Sequence, residues 1–145
     1  DLYGVAGIYP TNFMGAWVSG SITATTSVNA GTGAANTKSI LDFQSKLGIA
    51  SAVPVVANAV IRGLDDWFLP SADELDLMYN VLYAVAKPLT GFAPTYYWTS
   101  SEYNLKNAWT QLFRSGQQFD REGWFTSKET GLPNAIRTRP IRAFG

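Results

Sequence analysis

The sequence contains neither cysteine nor histidine, and these two absences exclude a large share of enzyme chemistry. Thiol nucleophiles, imidazole bases, Ser-His-Asp triads, Cys/His zinc sites and disulfide staples all fall away. The lack of cysteine leaves the redox compartment open, because a chain of this length buries enough surface to stand without bridges. Charge is sparse and balanced: 15% of residues are charged, with 11 Lys+Arg against 11 Asp+Glu. No field of one sign results, which argues against nucleic acid as a partner. No run approaches the roughly 18 apolar residues of a membrane span, and the start lacks the basic and apolar regions of a signal peptide. Membrane insertion is therefore not expected. The chain opens at Asp1 without Met and is expected to be a single domain, residues 1–145, excised from something longer.

What the sequence has in quantity is aromatic and aliphatic side chains. Hydrophobic residues make up 46% of the chain, and five Trp, seven Tyr and eight Phe stand among its 145 residues, enough for one core. Residues 1–18 mix aromatics with Gly and Pro and read as short strand and turn. The Ser/Thr/Asn/Gly-rich stretch from Ser19 to Ser39 reads as a surface loop, with an alternating edge strand over Ile22 to Val28 as the competing reading. Asn36 or Thr37 is placed to cap a helix over about 37–47, whose apolar positions Ile40, Phe43 and Leu47 precede Gly48. The run from Val53 to Ile61 is open between a brief helix with Pro54 in its first turn and a buried strand.

Ser71 and Glu74 form S-x-x-E, the signature of a reciprocal helix cap. Leu75, Met78, Leu82 and Val85 then form one apolar stripe, which Lys87-Pro88 terminates. After Pro94 the character changes to four short aromatic segments, Tyr96 to Ser101, Asn107 to Phe113, Gln117 to Phe125 and Ile136 to Phe144. These predict an antiparallel meander, with Ser115-Gly116 turning the second segment into the third. The pattern as a whole is α+β, helices first and sheet last.

Four blocks stand in order: Gly63 to Leu75 (GLDDWFLPSADEL), Tyr96 to Tyr103 (YYWTSSEY), Asn107 to Gln117 (NAWTQLFRSGQ) and Arg137 to Phe144 (RTRPIRAF). Together they resemble the Lcl C-terminal-domain family of bacterial collagen-like adhesins, over about residues 36–144. The resemblance implies a C-type-lectin-like fold, with two main helices packed on a small twisted antiparallel sheet and long loops on one side. It also implies a receptor-binding or adhesion role, as in the tips of bacterial adhesins and phage tail fibres. Formylglycine-generating enzymes share the broader fold, but the cysteines of their chemistry are absent here. Calcium-dependent lectins use E-P-N or Q-P-D with W-N-D; here Leu132 precedes Pro133-Asn134 and no W-N-D occurs. No cofactor is expected, and calcium is possible without being indicated by a lectin motif.

Candidate chemistry is concentrated in the last third of the chain. Gln117, Asp120, Arg121 and Trp124 combine amide, charge and a flat ring, the mixture with which proteins grip sugars; an ordinary polar hairpin is the competing reading. Tyr103, Asn104, Lys106 and Asn107 form an adjoining loop. Strand alternation puts Trp109, Gln111 and Phe113 on one face and Thr110, Leu112 and Arg114 on the other; the resemblance, through its A-W-x-x-x-F motif, implies that the first set faces inward and the second toward solvent. Asp65-Asp66-Trp67 reads better as structural signature than as sugar or calcium contact, with an Asp bonding turn amides. Arg139 and Arg142 offer an anion clamp, with internal partners such as Glu102 or Glu74 as the favoured alternative. A glycosidase reading could draw on Asp120 with Glu122, or Asp66 with Glu102, but nothing in the sequence sets either pair across a cleft.

The expected protein is thus a non-enzymatic binding domain for a cell-surface polysaccharide or protein receptor. It is expected outside the cell, at a virion tail-fibre tip or on a bacterial surface, and displayed as a homotrimer or other multivalent array because single sugar contacts are weak. A capping or assembly domain of a fibre or virion is the main alternative, and a carboxylate-based glycan-processing enzyme a lesser one.

Overall fold

A computed structural model describes residues 3–5, 26–44, 52–84, 92–104, 107–120 and 136–143. Three helices are distributed over these residues: α1 (Gly33–Gln44), α2 (Ala52–Ala57) and α3 (Ala72–Met78), the last running on into a single π turn, Tyr79–Tyr83. Helix α1 starts earlier than the sequence suggests, so Asn36 and Thr37 lie inside it and are not its caps. The Thr37 hydroxyl donates to Gly33 O (2.8 Å) and accepts from Leu69 N (3.0 Å). Asn36 reads the backbone of Ser27 on both sides, accepting from its N (2.9 Å) and donating to its O (2.7 Å). Part of the expected surface loop therefore packs against the helix. The expected end at Leu47-Gly48 lies outside the described residues, as do residues 22–25 of the edge-strand reading; residues 26–28, the rest of that stretch, are not strand.

The Ser71/Glu74 cap forms as predicted, and Glu74 does more than cap its own helix. Ser71 Oγ accepts from Glu74 N (3.2 Å), and Glu74 Oε1 accepts from Ser71 N (2.9 Å). The same carboxylate also accepts from Gly33 N (2.9 Å) and Gly31 N (3.2 Å) at the start of α1. One buried anion thus sits at the positive ends of two helices, where the unsatisfied first-turn amides favour negative charge. Gly33 is required by that approach, since a Cβ there would collide with Glu74 Oε1 and come within 2.9 Å of Leu69 O.

The run from Val53 resolves as helix, with Pro54 in the first turn of α2 where its missing N–H costs nothing. The stripe on α3 needs one correction. An α-helical continuation would set Leu82 beside Leu75 and Met78, but the wider π turn advances the stripe by one residue. Tyr83 is buried as a result and Leu82 only half-buried. Val85 lies outside the described residues.

The expected meander is present as β2 (Tyr96–Glu102), β3 (Ala108–Leu112) and β4 (Gln118–Phe119), antiparallel in that order. Tyr97 stands opposite Gln111 and Trp98 opposite Thr110, while Thr110 also faces Phe119 across the other edge. The register shifts between Trp98 and Glu102, and Thr99 covers the interruption. Its hydroxyl donates to Trp109 O (2.8 Å) and accepts from Ser101 N (3.1 Å), satisfying backbone groups that the bulge leaves unpaired.

Both faces of this sheet are covered. Trp98 and Ala108 join Ile40, Val53, Val56, Leu69 and Ile136 in one cluster under α1 and α2. Tyr97 and Phe113 join Phe68, Leu75, Met78, Tyr83, Phe92 and Ile141 in a second cluster under α3 and its π turn. Phe92 and Phe113 stack at 4.6 Å between ring centroids. Double coverage explains why the prediction of a solvent-facing Thr110 fails: it shares Ala108's face and is fully buried, Leu112 is half-buried, and only Arg114 is exposed.

The fourth segment does not extend the meander. Arg137 forms a parallel bridge to Tyr97, and β5 (Ile141–Ala143) pairs antiparallel with the N-terminal strand β1 (Tyr3–Val5). Ile141 also exchanges backbone bonds with Phe68 at 2.8 and 2.9 Å. A two-residue turn precedes that segment: Ile61 and Leu64 exchange both backbone bonds around Arg62 (φ 55°) and Gly63 (φ 77°). Left-handed geometry costs a residue with a Cβ about 1–2 kcal/mol, and Arg62 bears it. Among the described residues no helix is long and apolar enough to cross a membrane.

Candidate functional site

Several of the residues that carry the family resemblance are occupied inside the fold. Ser101 Oγ accepts from Ala72 N (2.9 Å) and donates to Ser27 O (2.7 Å). Ser100 N donates to Pro70 O (2.7 Å), and Ser71 Oγ donates to Asn29 O (2.9 Å). Ser71, Glu74, Thr99, Ser100 and Ser101 are all buried. This polar seam ties the 26–32 segment to the start of α3 and to β2.

Asp66 and Arg142 behave the same way. Arg142 Nε donates to Asp66 Oδ1 (2.7 Å) and Nη2 to Oδ2 (2.9 Å), a two-pronged fork. The hydrogen bond from Arg142 is the largest influence on Asp66 and holds its carboxyl below the ordinary value. Both oxygens of Asp66 are thus spoken for by a guanidinium, a different use from the turn amides expected of it. Trp67 and Leu69 are in the core as predicted. Arg139 is buried at 5% exposure with its guanidinium carbon 4.2 Å from the centre of the Phe92 ring. Burial lowers its pKa below the ordinary arginine value and raises that of Tyr97, whose phenol oxygen accepts from Ala93 N (2.9 Å). An anion clamp by Arg139 and Arg142 is not offered to solvent.

The predicted contact residues divide between two ends of the sheet. Tyr103, Asn104 and Asn107 lie in the loop that joins β2 to β3, whereas Arg114 and Gln117 lie in the turn that joins β3 to β4. From Asn107 to Arg114 an extended chain spans roughly 20 Å, so these two groups do not converge. The antiparallel pairing of Thr110 with Phe119 carries Asp120 back toward Trp109 and the Tyr103 end. Lys106, Arg121 and Trp124 lie outside the described residues.

The Tyr103 end has the more defined geometry. Tyr103 is 40% exposed, and its ring stands edge-on to half-buried Trp109 at 6.5 Å between centroids. Tyr103 N and Asn104 N both donate to Asn107 O (3.0 and 3.2 Å). Asn104 Oδ1 accepts from Asn107 N (2.8 Å) and Asn107 Nδ2 (3.1 Å), so this carboxamide oxygen, expected to meet ligand, closes the loop. The outcome is a held aromatic corner. Trp109 is the residue the sequence reading missed; it was counted inward with Gln111 and Phe113, and its position beside the loop at the strand's start was the available signal.

At the other end Gln111 Nε2 donates to Asp76 Oδ1 (2.8 Å) and Gly116 O (2.9 Å), pinning the β3–β4 turn to α3. Arg114 and Gln117 project from that turn, exposed. Among the described residues no three acidic side chains gather into a metal-holding group. No protein-family model matches the sequence, and no curated protein matches it significantly.

Proposed function

We propose that this domain is a receptor-binding or adhesion module of C-type-lectin-like fold, related to the Lcl C-terminal domains, that recognises a cell-surface polysaccharide without covalent chemistry. The observation that carries the reading is the division of labour among its residues. Ser71, Glu74, Ser100 and Ser101 of the resembling motifs are spent on internal bonds, while Tyr103 of the same motifs, backed by Trp109, is held at the surface by a loop closed on itself. A flat ring with polar neighbours suits the apolar face and hydroxyls of a pyranose. Helices α1 and α3 flanking a small antiparallel sheet agree with the architecture that the motif resemblance implies. The setting is extracellular, at a phage tail-fibre tip or a bacterial surface, with trimeric or other multivalent display compensating for weak single contacts.

A second reading, assembly or capping of a fibre, is favoured by one observation. Leu77 and Val81, four residues apart on α3 and its π turn, are 48% and 60% exposed, an apolar pair of the kind interfaces bury. The two readings separate in one experiment. Purified domain is titrated onto bacterial cells and a panel of envelope polysaccharides, with and without a calcium chelator, alongside Tyr103→Ala and Leu77→Asp. Saturable binding lost in Tyr103→Ala supports recognition. Absence of binding, with an oligomer that Leu77→Asp dissociates, replaces it with assembly.

A further inference from the structure

The two-residue turn between Ile61 and Leu64 carries an arginine where its geometry favours Asn, Asp or Gly. Arg62 has φ 55°, the left-handed region that a bulky side chain occupies only under strain. Among the described residues its side chain makes no hydrogen bond or ion pair, and the residue is exposed. The strain therefore returns nothing to the fold.

The mount beneath it is firm. Ile61 and Leu64 exchange both backbone bonds (2.9 and 3.0 Å), Trp67 Nε1 donates to Leu64 O (3.0 Å), and Ile61 packs against Ala59 and Trp67. On either side of Arg62 stand exposed aliphatic groups, Val60 at 65% and Leu64 at 38%. Asp65 is exposed nearby in sequence, and Asp66 is engaged by Arg142. An exposed guanidinium on a firmly held turn, with exposed aliphatic residues before and after it in the sequence, suits a sugar acid, which bears one oxyanion on a ring with an apolar face.

We propose that the 60–65 turn is a second contact element, in which Arg62 forks onto the carboxylate or phosphate of an acidic cell-surface polysaccharide while Val60 and Leu64 lie against its ring. The choice of polymer rests on the receptor-binding reading above. An Asn would close the turn with less strain, so what the arginine adds at this position is the charge it projects.

The test uses the full chain and three immobilised polymers: polygalacturonate for carboxylate, poly(glycerol phosphate) for phosphate, and neutral dextran. Wild type is expected to bind at least one polyanion above dextran, with affinity falling as salt rises. Arg62→Asn is expected to weaken that binding on the order of tenfold, the loss of a charge-assisted fork, while melting at a higher temperature than wild type. Arg62→Lys, which keeps the charge and loses the fork, should fall between. Binding to neither polyanion, or equal binding by Arg62→Asn, overturns the proposal. Cell binding that survives Arg62→Asn but not Tyr103→Ala removes this inference and keeps the receptor-binding reading. Polyanion binding that depends on Arg62, from a domain that ignores cells, does the reverse.

Discussion

Glu74 shows how much of this domain turns on single polar side chains. Its buried carboxylate accepts from Ser71, Gly33 and Gly31, and removing it strands amides at two helix starts. Glu74→Ala is expected to cost about 3 kcal/mol, read as a lower urea midpoint with an unchanged slope. Glu74→Gln should cost less, because an oxygen placed as Oε1 still accepts from Ser71 and Gly33 while an amide nitrogen confronts Gly31 N. Arg62 lies at the opposite extreme, a residue whose backbone geometry opposes stability. Arg62→Asn is expected to raise stability by about 1 kcal/mol, measured in the same titration. S-x-x-E announced the first residue through its spacing. The second was legible only as Arg-Gly between two apolar residues, a pattern that fixes the turn's length without saying which backbone region its first residue must enter.

At the scale of elements, contacts between segments distant in sequence decide the arrangement. The π turn puts Tyr79 against the β3–β4 turn, where a Cβ at Gly116 (φ 80°) would collide with the Tyr79 ring. Gly116→Ala is expected to destabilise by about 1–3 kcal/mol from strain and overpacking together. Tyr79→Ala in the same chain should recover the overpacking part only, a non-additivity that a double-mutant cycle by thermal melting detects. The Asp66–Arg142 fork fastens the segment before α3 to β5. Because Asp66's folded pKa lies below its ordinary 3.8, its contribution is present above that value and is lost as pH falls through the lower folded one. Wild type should therefore melt above Asp66→Asn at pH 6, and the difference should close on acidification below about 3.8. Arg142, raised further by the same bond, stays charged throughout. The α3 cap and the three-strand meander were readable from local spacing, whereas the run that forms α2 was equally open to a buried strand. The β1–β5 pairing and the Asp66 partner were not readable, because no local pattern records which remote segment closes an edge.

For the whole molecule, the consequential fact is that, among the described residues, the sheet is covered on both faces. Alternation along β3 was read as one face in and one face out, which is right for a half-exposed sheet and wrong here: Thr110 and Gln111 are both fully buried. Of the predicted contact residues that are described, Tyr103, Asn104, Arg114 and Gln117 are exposed, Asn107, Leu112 and Asp120 are half-buried, and Thr110 on the strand is fully buried. On the receptor-binding reading proposed above, contact falls at the strand ends, and the ends are not equivalent. The Tyr103 end has an aromatic pair and a closed loop, whereas Arg114 and Gln117 project from a turn pinned to α3. If receptor binding occurs at the first, Tyr103→Ala should reduce cell binding by roughly tenfold or more, the effect of losing a central aromatic anchor, while Arg114→Ala should change it by less than about twofold as a peripheral charge does. The contrast is best measured with the domain fused to a trimerising coiled coil, because avidity makes weak single-site binding measurable. Equal losses at both ends would mean that the ligand runs the length of the sheet. A loss only in Arg114→Ala would move the site to the β3–β4 turn and take the stacking argument with it.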